Sequence, residues 1–242
     1  MRFAVLLTLI ACAACASPDT SAPAEPAPDT AAVASPAPPA APDLSSENVL
    51  VVVFFGNSLT AGYGLADPDV EAFPARIEEK AEAAGLPVRV VNAGVSGETS
   101  AGGLRRVDWV LDGDEPDVFV LELGANDGLR GLDPAAMQAN LEGILEKVRA
   151  KHPEARLVVA GMEAPPNYGL DYTARFRAVF PAVARRFDAA LIPFLLEGVG
   201  GVRSLNQGDR VHPTAEGHRR MAETAWRTLA PILRETAAER AS

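Results

Sequence analysis

The first strand of the fold is predicted by LVVVFF (residues 50–55), a run of six apolar residues. Valines and phenylalanines in succession, with no polar residue between them, are typical of a strand buried on both faces of a parallel sheet. The stretch GNSLTAGYG (residues 56–64) follows at once, and its glycines together with Asn57 indicate a sharp turn. Ser58 therefore presents a hydroxyl and nearby backbone N–H groups where this strand ends.

Four further apolar runs predict strands, and the stretches between them predict helices. Strands are expected at 88–91, 118–123, 157–160 and 190–194, and helices at 71–84, 101–111, 134–150, 172–187 and 213 to about 235. Gly85 is expected to end the first helix, and Pro134 and Pro213 stand where a first helical turn tolerates a missing N–H. Strands alternating with helices indicate an α/β fold whose mostly parallel, five-stranded sheet is covered on both faces.

The start of the chain is predicted to lie outside this fold. Arg2 and the apolar run at residues 4–16 have the layout of a secretory signal, and the run is shorter than the ~20 apolar residues of a membrane-spanning helix. LIAC (residues 9–12) resembles a bacterial lipobox, which makes Cys12 the first candidate for lipidation and Cys15 the second. The alternative left open is ordinary secretion without a lipid.

Residues 17–46 hold nine Ala, eight Pro, four acids and no base. Such a segment buries too little apolar surface to offset its ordering entropy, so we expect an extended, disordered spacer. The expected organisation is a signal peptide at 1–16, a linker at 17–46 and one domain at 47–242. The expected location is outside the cytoplasm of a bacterium, either periplasmic or anchored to a membrane as a lipoprotein.

The charge of the chain argues against several classes of partner. The 22 Lys+Arg and 32 Asp+Glu residues give a net charge of −10. This balance disfavours nucleic acid, which needs a basic face, and disfavours attraction to anionic lipid headgroups. Two Cys, both within the first fifteen residues, and three His supply neither a disulfide framework nor the spaced ligand pairs of a structural zinc site.

Three more polar loops accompany the predicted sheet. NAGVSGET (residues 92–99) follows the second strand, GANDG (residues 124–128) follows the third, and NQGDRVHP (residues 206–213) precedes the last helix. Because the carboxyl ends of parallel strands meet at one edge of a sheet, we expect these loops to converge on Ser58.

The loops together supply the groups of a hydrolytic triad. A serine hydroxyl is a poor nucleophile until a base removes its proton, and His212 is the histidine that lies in one of these loops. Asp209 precedes it by three residues, close enough to accept a hydrogen bond from Nδ1 and orient the ring. His152 is explained by its place at a helix end. His218 follows His212 by ~600° along an ideal helix and is expected to point away.

Acyl transfer also requires donors for the developing oxyanion, and the candidates are the Ser58 N–H, the Gly94 N–H and the Asn126 amide. Taken singly, each of these residues has an ordinary structural explanation: Ser58 as a helix cap, Gly94, Asn126 and Asp209 as turn residues, and His212 as a helix-start residue. Taken together and in this order, the four loops favour catalysis. No Gly-Lys-Ser/Thr follows the first loop, which disfavours phosphate binding, and no G-x-S-x-G is present, which disfavours an ordinary α/β-hydrolase.

The four loops resemble the sequence blocks of the SGNH (GDSL-type) hydrolases, and the resemblance extends from about Leu50 to Leu233. It is closest to the bacterial arylesterase, thioesterase and lysophospholipase branch, and APPNYG (residues 164–169) belongs to it. The resemblance implies a three-layer α/β/α fold of flavodoxin-like type and no cofactor. It also implies the following roles: Ser58 as nucleophile, His212 as base, Asp209 as orienting acid, and Gly94 and Asn126 in the oxyanion hole with the Ser58 N–H.

Two positions depart from the pattern of that family. Asn57 stands where members usually carry Asp, and because the triad acid is Asp209 we expect this change to tune the site rather than abolish activity. Arg210 stands where a small residue is usual.

The predicted substrate is a small acyl ester or lipid. Residues 162–172 and 195–205 bring apolar side chains near the site, and the scarcity of aromatic residues disfavours a platform for sugars. Aryl esters, acyl thioesters and lysophospholipids are therefore preferred. A carbohydrate O-acetyl esterase of the same fold and a non-catalytic envelope-binding module remain the alternatives.

Overall fold

The computed structural model describes residues 49–241. The predicted signal peptide, the linker and both candidate lipidation sites, Cys12 and Cys15, lie outside the described residues. Among the helices of residues 49–241, none combines the length and the apolar character needed to cross a bilayer.

The sheet contains five parallel strands in the order β2-β1-β3-β4-β5. The strands are β1 (Leu50–Gly56), β2 (Val88–Gly94), β3 (Val118–Glu122), β4 (Arg156–Ala160) and β5 (Ala190–Ile192). The predicted α/β fold is confirmed, and it is the three-layer, flavodoxin-like arrangement. The fifth strand is shorter than predicted because Pro193 has no N–H to continue the ladder.

Eight helices cover the sheet within the described residues. They are α1 (Ser58–Ala61), α2 (Pro68–Glu71), α3 (Phe73–Ala83), α4 (Ser100–Gly113), α5 (Ala125–Leu129), α6 (Pro134–Lys151), α7 (Leu170–Phe187) and α8 (Ala215–Arg240). Helices α3 and α8 pack together, and α4, α6 and α7 pack in a row. The expectation that Pro213 starts the last helix is wrong: the Thr214 side chain accepts from the Gly217 N–H and caps α8, so the helix starts after it.

Two neighbouring strands inside the sheet, β1 and β3, bring the site together. All five side chains of β3 are buried, and β1 is buried at every position but one. Phe54 packs edge-on against Phe73, with ring centroids 5.3 Å apart, and fixes β1 against α3. The register pairs Gly56 with Gly94 on one side and with Glu122 on the other, so the ends of β1, β2 and β3 lie side by side.

Candidate active site

The turn that leaves β1 presents Ser58 as the first residue of α1. Asn57 caps this helix, since its Oδ1 accepts from the Leu59 N–H at 3.0 Å. The alternative in which Ser58 itself is the cap is therefore wrong. Ser58 is nearly buried, at 8% exposed, with its hydroxyl at the floor of a cavity.

The loop before α8 brings a histidine and a carboxylate to this serine. His212 Nε2 lies 3.0 Å from Ser58 Oγ, and His212 Nδ1 lies 2.6 Å from Asp209 Oδ2. The other Asp209 oxygen accepts from the Val211 and His212 N–H groups at 2.9 and 3.0 Å. The hydrogen bond with His212, followed by these backbone bonds, lowers the pKa of Asp209 to about 2. Asp209 is therefore ionised at neutral pH and oriented towards the ring.

Two residues outside the predicted set hold this loop in place. The Tyr63 ring packs against the His212 ring at 4.6 Å between centroids. Gln207 Nε2 donates to the Tyr63 and Pro213 carbonyls at 2.8 and 2.9 Å, which ties the first loop to the last. Gly64 is the residue of the sequence that indicates this close approach of the two loops, because a Cβ there would lie 2.2 Å from Gln207 Oε1.

The predicted oxyanion donors are not equally available. Asn126 lines the cavity and uses one amide hydrogen on the Glu98 carbonyl at 2.9 Å, which leaves its other hydrogen for a ligand. The Gly94 N–H is less available, because it donates to Asn92 Oδ1 at 3.1 Å. The lack of a side chain at Gly94 has a structural reason, because a Cβ there would lie 2.3 Å from the Ala61 nitrogen.

Gly97, in the same loop as Gly94, is a further donor candidate. It adopts φ +79°, and its N–H makes no hydrogen bond within residues 49–241. The next residue, Glu98, is the one whose carbonyl accepts from Asn126, so Gly97 directly precedes the residue that holds the Asn126 amide.

A buried carboxylate, which was not among the predicted site residues, lies beneath the turn that carries Ser58. Glu122 is 1% exposed and accepts from the Asn57 side chain at 2.8 Å, the Asn57 N–H at 3.2 Å and the Thr60 hydroxyl at 2.8 Å. Burial raises the pKa of Glu122 to about 7, although these hydrogen bonds oppose the shift. Glu122 follows four apolar residues of β3, and its partners on α1 lie more than sixty positions earlier.

A second unpredicted group joins the strand ends. The Arg106 guanidinium pairs with Glu98 at 2.6 Å and donates to the Ala93 and Gly56 carbonyls at 2.8 and 3.2 Å. It also stacks over the Phe55 ring at 4.1 Å from the centroid. This one side chain therefore holds the ends of β1 and β2 together with the loop that carries Gly97.

The remaining histidines lie elsewhere, as expected. His218 is buried at the start of α8, where its Nδ1 accepts from the Phe73 N–H at 3.2 Å, and burial lowers its pKa to about 4. His152 follows α6, and its Nε2 lies 3.3 Å from the Leu111 carbonyl.

The cavity above Ser58 has a volume of about 450 Å³. Its polar floor contains the hydroxyl, the His212 ring and the Asn126 amide. Its apolar walls include Met162, Pro165, Phe194, Leu196 and Val211. The arrangement can hold a carbonyl next to the serine and an apolar group beside it. No group of three or more metal-ligating side chains that could hold an ion occurs within residues 49–241.

Comparison with known proteins gives consistent matches. A model of the GDSL-like lipase/acylhydrolase family matches residues 54–220. Esterase TesA of Pseudomonas aeruginosa is 42% identical over 189 residues, covering 78% of this chain and 90% of that protein. Thioesterase 1/protease 1/lysophospholipase L1 of Escherichia coli K12 is 35% identical over 182 residues, covering 75% and 84%. The crystal structure of TesA has a TM-score of 0.71 and 42% identity, covering 75% of this chain and 99% of the other.

Proposed function

The chain belongs to the GDSL-like lipase/acylhydrolase family and is an ester hydrolase, and on this premise we propose that Ser58, His212 and Asp209 are its catalytic triad. The observation that carries the proposal is the unbroken series of hydrogen bonds from Ser58 Oγ through the His212 ring to Asp209. The series ends at the floor of a cavity large enough for a small acyl group.

In the acylation step, Ser58 Oγ attacks the carbonyl carbon of the ester while His212 Nε2 removes the hydroxyl proton. Asp209 stabilises the resulting imidazolium and keeps Nε2 directed at the serine. When the tetrahedral intermediate collapses, the bond to the leaving alcohol or thiol breaks, and His212 returns the proton to it. Water then attacks the acyl-Ser58 ester while His212 accepts a proton from it. The second tetrahedral intermediate collapses, the bond to Ser58 Oγ breaks as His212 returns the proton to that oxygen, and the carboxylic acid is released.

The negative charge of the tetrahedral intermediate needs donors that are already oriented. We assign the Ser58 N–H and the Asn126 amide to this role, because both residues line the cavity. For the third donor, Gly97 is preferred to Gly94, because the Gly94 N–H already donates to Asn92.

The apolar walls favour acyl chains over acetylated sugars. Met162, Phe194 and Leu196 present carbon surface to the cavity, and burying each methylene of a substrate contributes ~0.8 kcal/mol. Aryl esters, acyl thioesters and lysophospholipids therefore fit the site as substrates. A carbohydrate O-acetyl esterase would instead need polar contacts for the sugar and would lose activity beyond acetyl.

Location completes the proposal. The signal-like start of the chain and its LIAC motif support export. Cys12 is the first candidate for lipidation, and Cys15 is the alternative. The Ala/Pro-rich linker would then separate the enzyme from the membrane surface.

The test is an assay of the purified protein on p-nitrophenyl esters from acetate to laurate, beside Ser58→Ala and the matched control Ser204→Ala. Ser204 lies exposed in a short turn and touches none of the triad residues through its hydroxyl. We expect Ser58→Ala alone to lose about 10⁴- to 10⁶-fold in kcat, the range of losses seen when one member of such a triad is removed. A fluorophosphonate should also label Ser58, as read by peptide mass. Equal activity of wild type and Ser58→Ala would overturn the triad assignment, and a sharp optimum at acetate would favour the carbohydrate esterase.

A further inference from the structure

The buried carboxylate of Glu122 has an arrangement that the triad does not explain. Asn57, Thr60 and Glu122 are each at most 1% exposed, and all the hydrogen bonds that they exchange run between the end of β3 and the turn that carries Ser58. Gly56 closes the cluster, since a Cβ there would lie 2.0 Å from Thr60 Oγ1 and 2.7 Å from Glu122 Oε2. The glycine at the end of β1 is thus required by this cluster.

The cluster fixes which end of the Asn57 amide faces the nucleophile. Asn57 Nδ2 donates to Glu122, so Oδ1 is left to accept from the Leu59 N–H at 3.0 Å and lies 3.4 Å from Ser58 Oγ. A flipped amide would set its NH₂ group against the Leu59 N–H, donor against donor. The helix cap next to Ser58 therefore depends on an acceptor at position 122.

We propose that Glu122 is a positioning residue, which holds Ser58 in line with His212 by fixing the Asn57 side chain and backbone. The inference rests on the proposed role of Ser58. It assigns to Asn57 a partner that explains its presence: an amide can donate to a buried carboxylate, whereas a second carboxylate at position 57 needs a shared proton to occupy the same place.

Three variants separate this role from simple packing. In Glu122→Gln the amide oxygen can accept from Thr60 and the Asn57 N–H, but its NH₂ then faces Asn57 Nδ2. In Asn57→Asp two carboxyl groups meet. In the double variant, the new amide at position 122 donates to one oxygen of the new carboxylate at position 57, and the other oxygen of that carboxylate accepts from the Leu59 N–H. The one hydrogen bond between the two side chains is then made with donor and acceptor exchanged, while the longer 3.4 Å contact from Asn57 Nδ2 to the Glu122 backbone carbonyl loses its donor.

The measurement is kcat and KM for p-nitrophenyl butyrate at pH 6 and pH 8.5, each expressed relative to wild type at the same pH. For Glu122→Gln we expect kcat to fall by about 10- to 100-fold at both pH values, with KM within about twofold, because a misplaced nucleophile costs rate rather than binding. For Asn57→Asp we expect kcat near wild type at pH 6 and at least about 10-fold lower at pH 8.5, where the shared proton is lost. The double variant should stay within about threefold of wild type at both.

Two charged pairs lie near this cluster. The Arg106–Glu98 pair reaches it through the Gly56 carbonyl, and the His212–Asp209 pair lies across Ser58. Both pairs are present in wild type and in every variant, so each variant is compared with wild type at the same pH.

Asp117→Asn is the matched control. Asp117 precedes β3 at the opposite end of the strand, where it accepts from the Val51 N–H and pairs with Arg240. Its amide variant should lose stability and keep kcat.

The proposal is overturned if Glu122→Gln retains wild-type kcat, or if the double variant is no better than Glu122→Gln at pH 8.5. If Glu122→Gln does not fold, Asn57→Asp decides, and a pH-independent ratio to wild type overturns the proposal. Failure of the triad assignment is seen separately, as activity that survives Ser58→Ala.

Discussion

Arg210 lies in the chain between Asp209 and His212, the proposed acid and base, with φ +62°, a left-handed conformation that side chains with a Cβ adopt at a cost. It lines the cavity, and no ion pair is formed by its guanidinium within residues 49–241. Its backbone therefore stores strain in the loop that orients His212.

Replacement of Arg210 by glycine should release this strain. We expect Arg210→Gly to raise the free energy of unfolding by about 1 kcal/mol, as measured by urea denaturation. Arg210→Ala, which removes the same charge and keeps the Cβ, is the control and should leave the free energy of unfolding nearly unchanged. Equal effects of the two variants would show that the charge, and not the backbone conformation, determines stability here.

Glu122 should make stability depend on pH. Its pKa in the folded protein, about 7, exceeds the ordinary value of 4.5 because the carboxyl group is buried, so the folded state binds the proton more tightly than the unfolded state. The stability linked to this proton is complete below pH 4.5 and is lost as pH rises through 7, with a size on the order of 3 kcal/mol.

Glu122→Gln removes this titration. Between pH 5 and pH 8 the free energy of unfolding of the wild type should therefore fall relative to that of the variant, as followed by urea denaturation at both pH values. If the free energy of unfolding changes with pH in the same way for wild type and Glu122→Gln, the raised pKa assigned to Glu122 is contradicted. Asp117→Asn, at the other end of the same strand, should leave the wild-type slope in place.

Local sequence predicts Ser58, Asp209 and His212 because each stands in a short loop beside a strand end or helix start. The structure brings these three within hydrogen-bonding distance. Glu122 was missed because a single acid after four apolar residues gives no local signal, and its partners come from a distant turn. The sequence predicts Gly94 as an oxyanion donor because it stands in a polar loop. The structure instead explains the glycine by its close packing against α1.

Helix α4 supports the site through Arg106, which joins two strand ends and the loop between β2 and α4. Its side chain and that of Glu98 are 19% and 8% exposed, so the pair is largely removed from water. Lysine keeps the charge but cannot reach three partners in one plane while stacking on Phe55. The arrangement therefore depends on the guanidinium group.

Arg106→Lys should destabilise the protein by about 2 kcal/mol or more, because it leaves Glu98 and two carbonyls incompletely paired. The loss of a fixed Glu98 should also weaken the placement of Asn126, so kcat should fall together with the melting temperature. Arg105→Lys is the matched control: it lies one position away on the exposed face, and within residues 49–241 its side chain bonds only to the Ala101 carbonyl. If Arg106→Lys keeps the wild-type free energy of unfolding, the positive charge alone is enough to stabilise the strand ends.

The elements that sequence predicts best are the long ones with a clear boundary residue. Helix α6 begins at Pro134 as expected, and α4 lies within two residues of its predicted bounds at each end. Helices α1, α2 and α5 span only four or five residues, too few to show a helical period. Pro213 is a poor boundary because it forms a bridge with Asn206, and the cap is instead Thr214.

The whole chain joins a hydrolase domain to a start that resembles a lipoprotein signal. The proposed linker comprises the 30 residues 17–46. If the chain is anchored through a lipid as proposed, its enzyme acts next to a membrane surface. The net negative charge of the chain disfavours attraction to anionic headgroups, so the lipid would be what holds the enzyme there.

The anchor can be tested by fractionation of a bacterial host that expresses the full chain. With Cys12 as the lipidated residue, Cys12→Ser should move esterase activity from the membrane fraction to the soluble fraction and abolish labelling by radioactive palmitate, because the thiol that would carry the lipid is gone.

Cys15→Ser is the matched control and should change neither the location of the activity nor the labelling. The opposite pattern would assign the lipid to Cys15, and a soluble, unlabelled wild type would contradict anchoring in favour of ordinary secretion. Since both changes lie far in sequence from Ser58, kcat on soluble esters should be the same in all three proteins, so a change in location can be read without a change in catalysis.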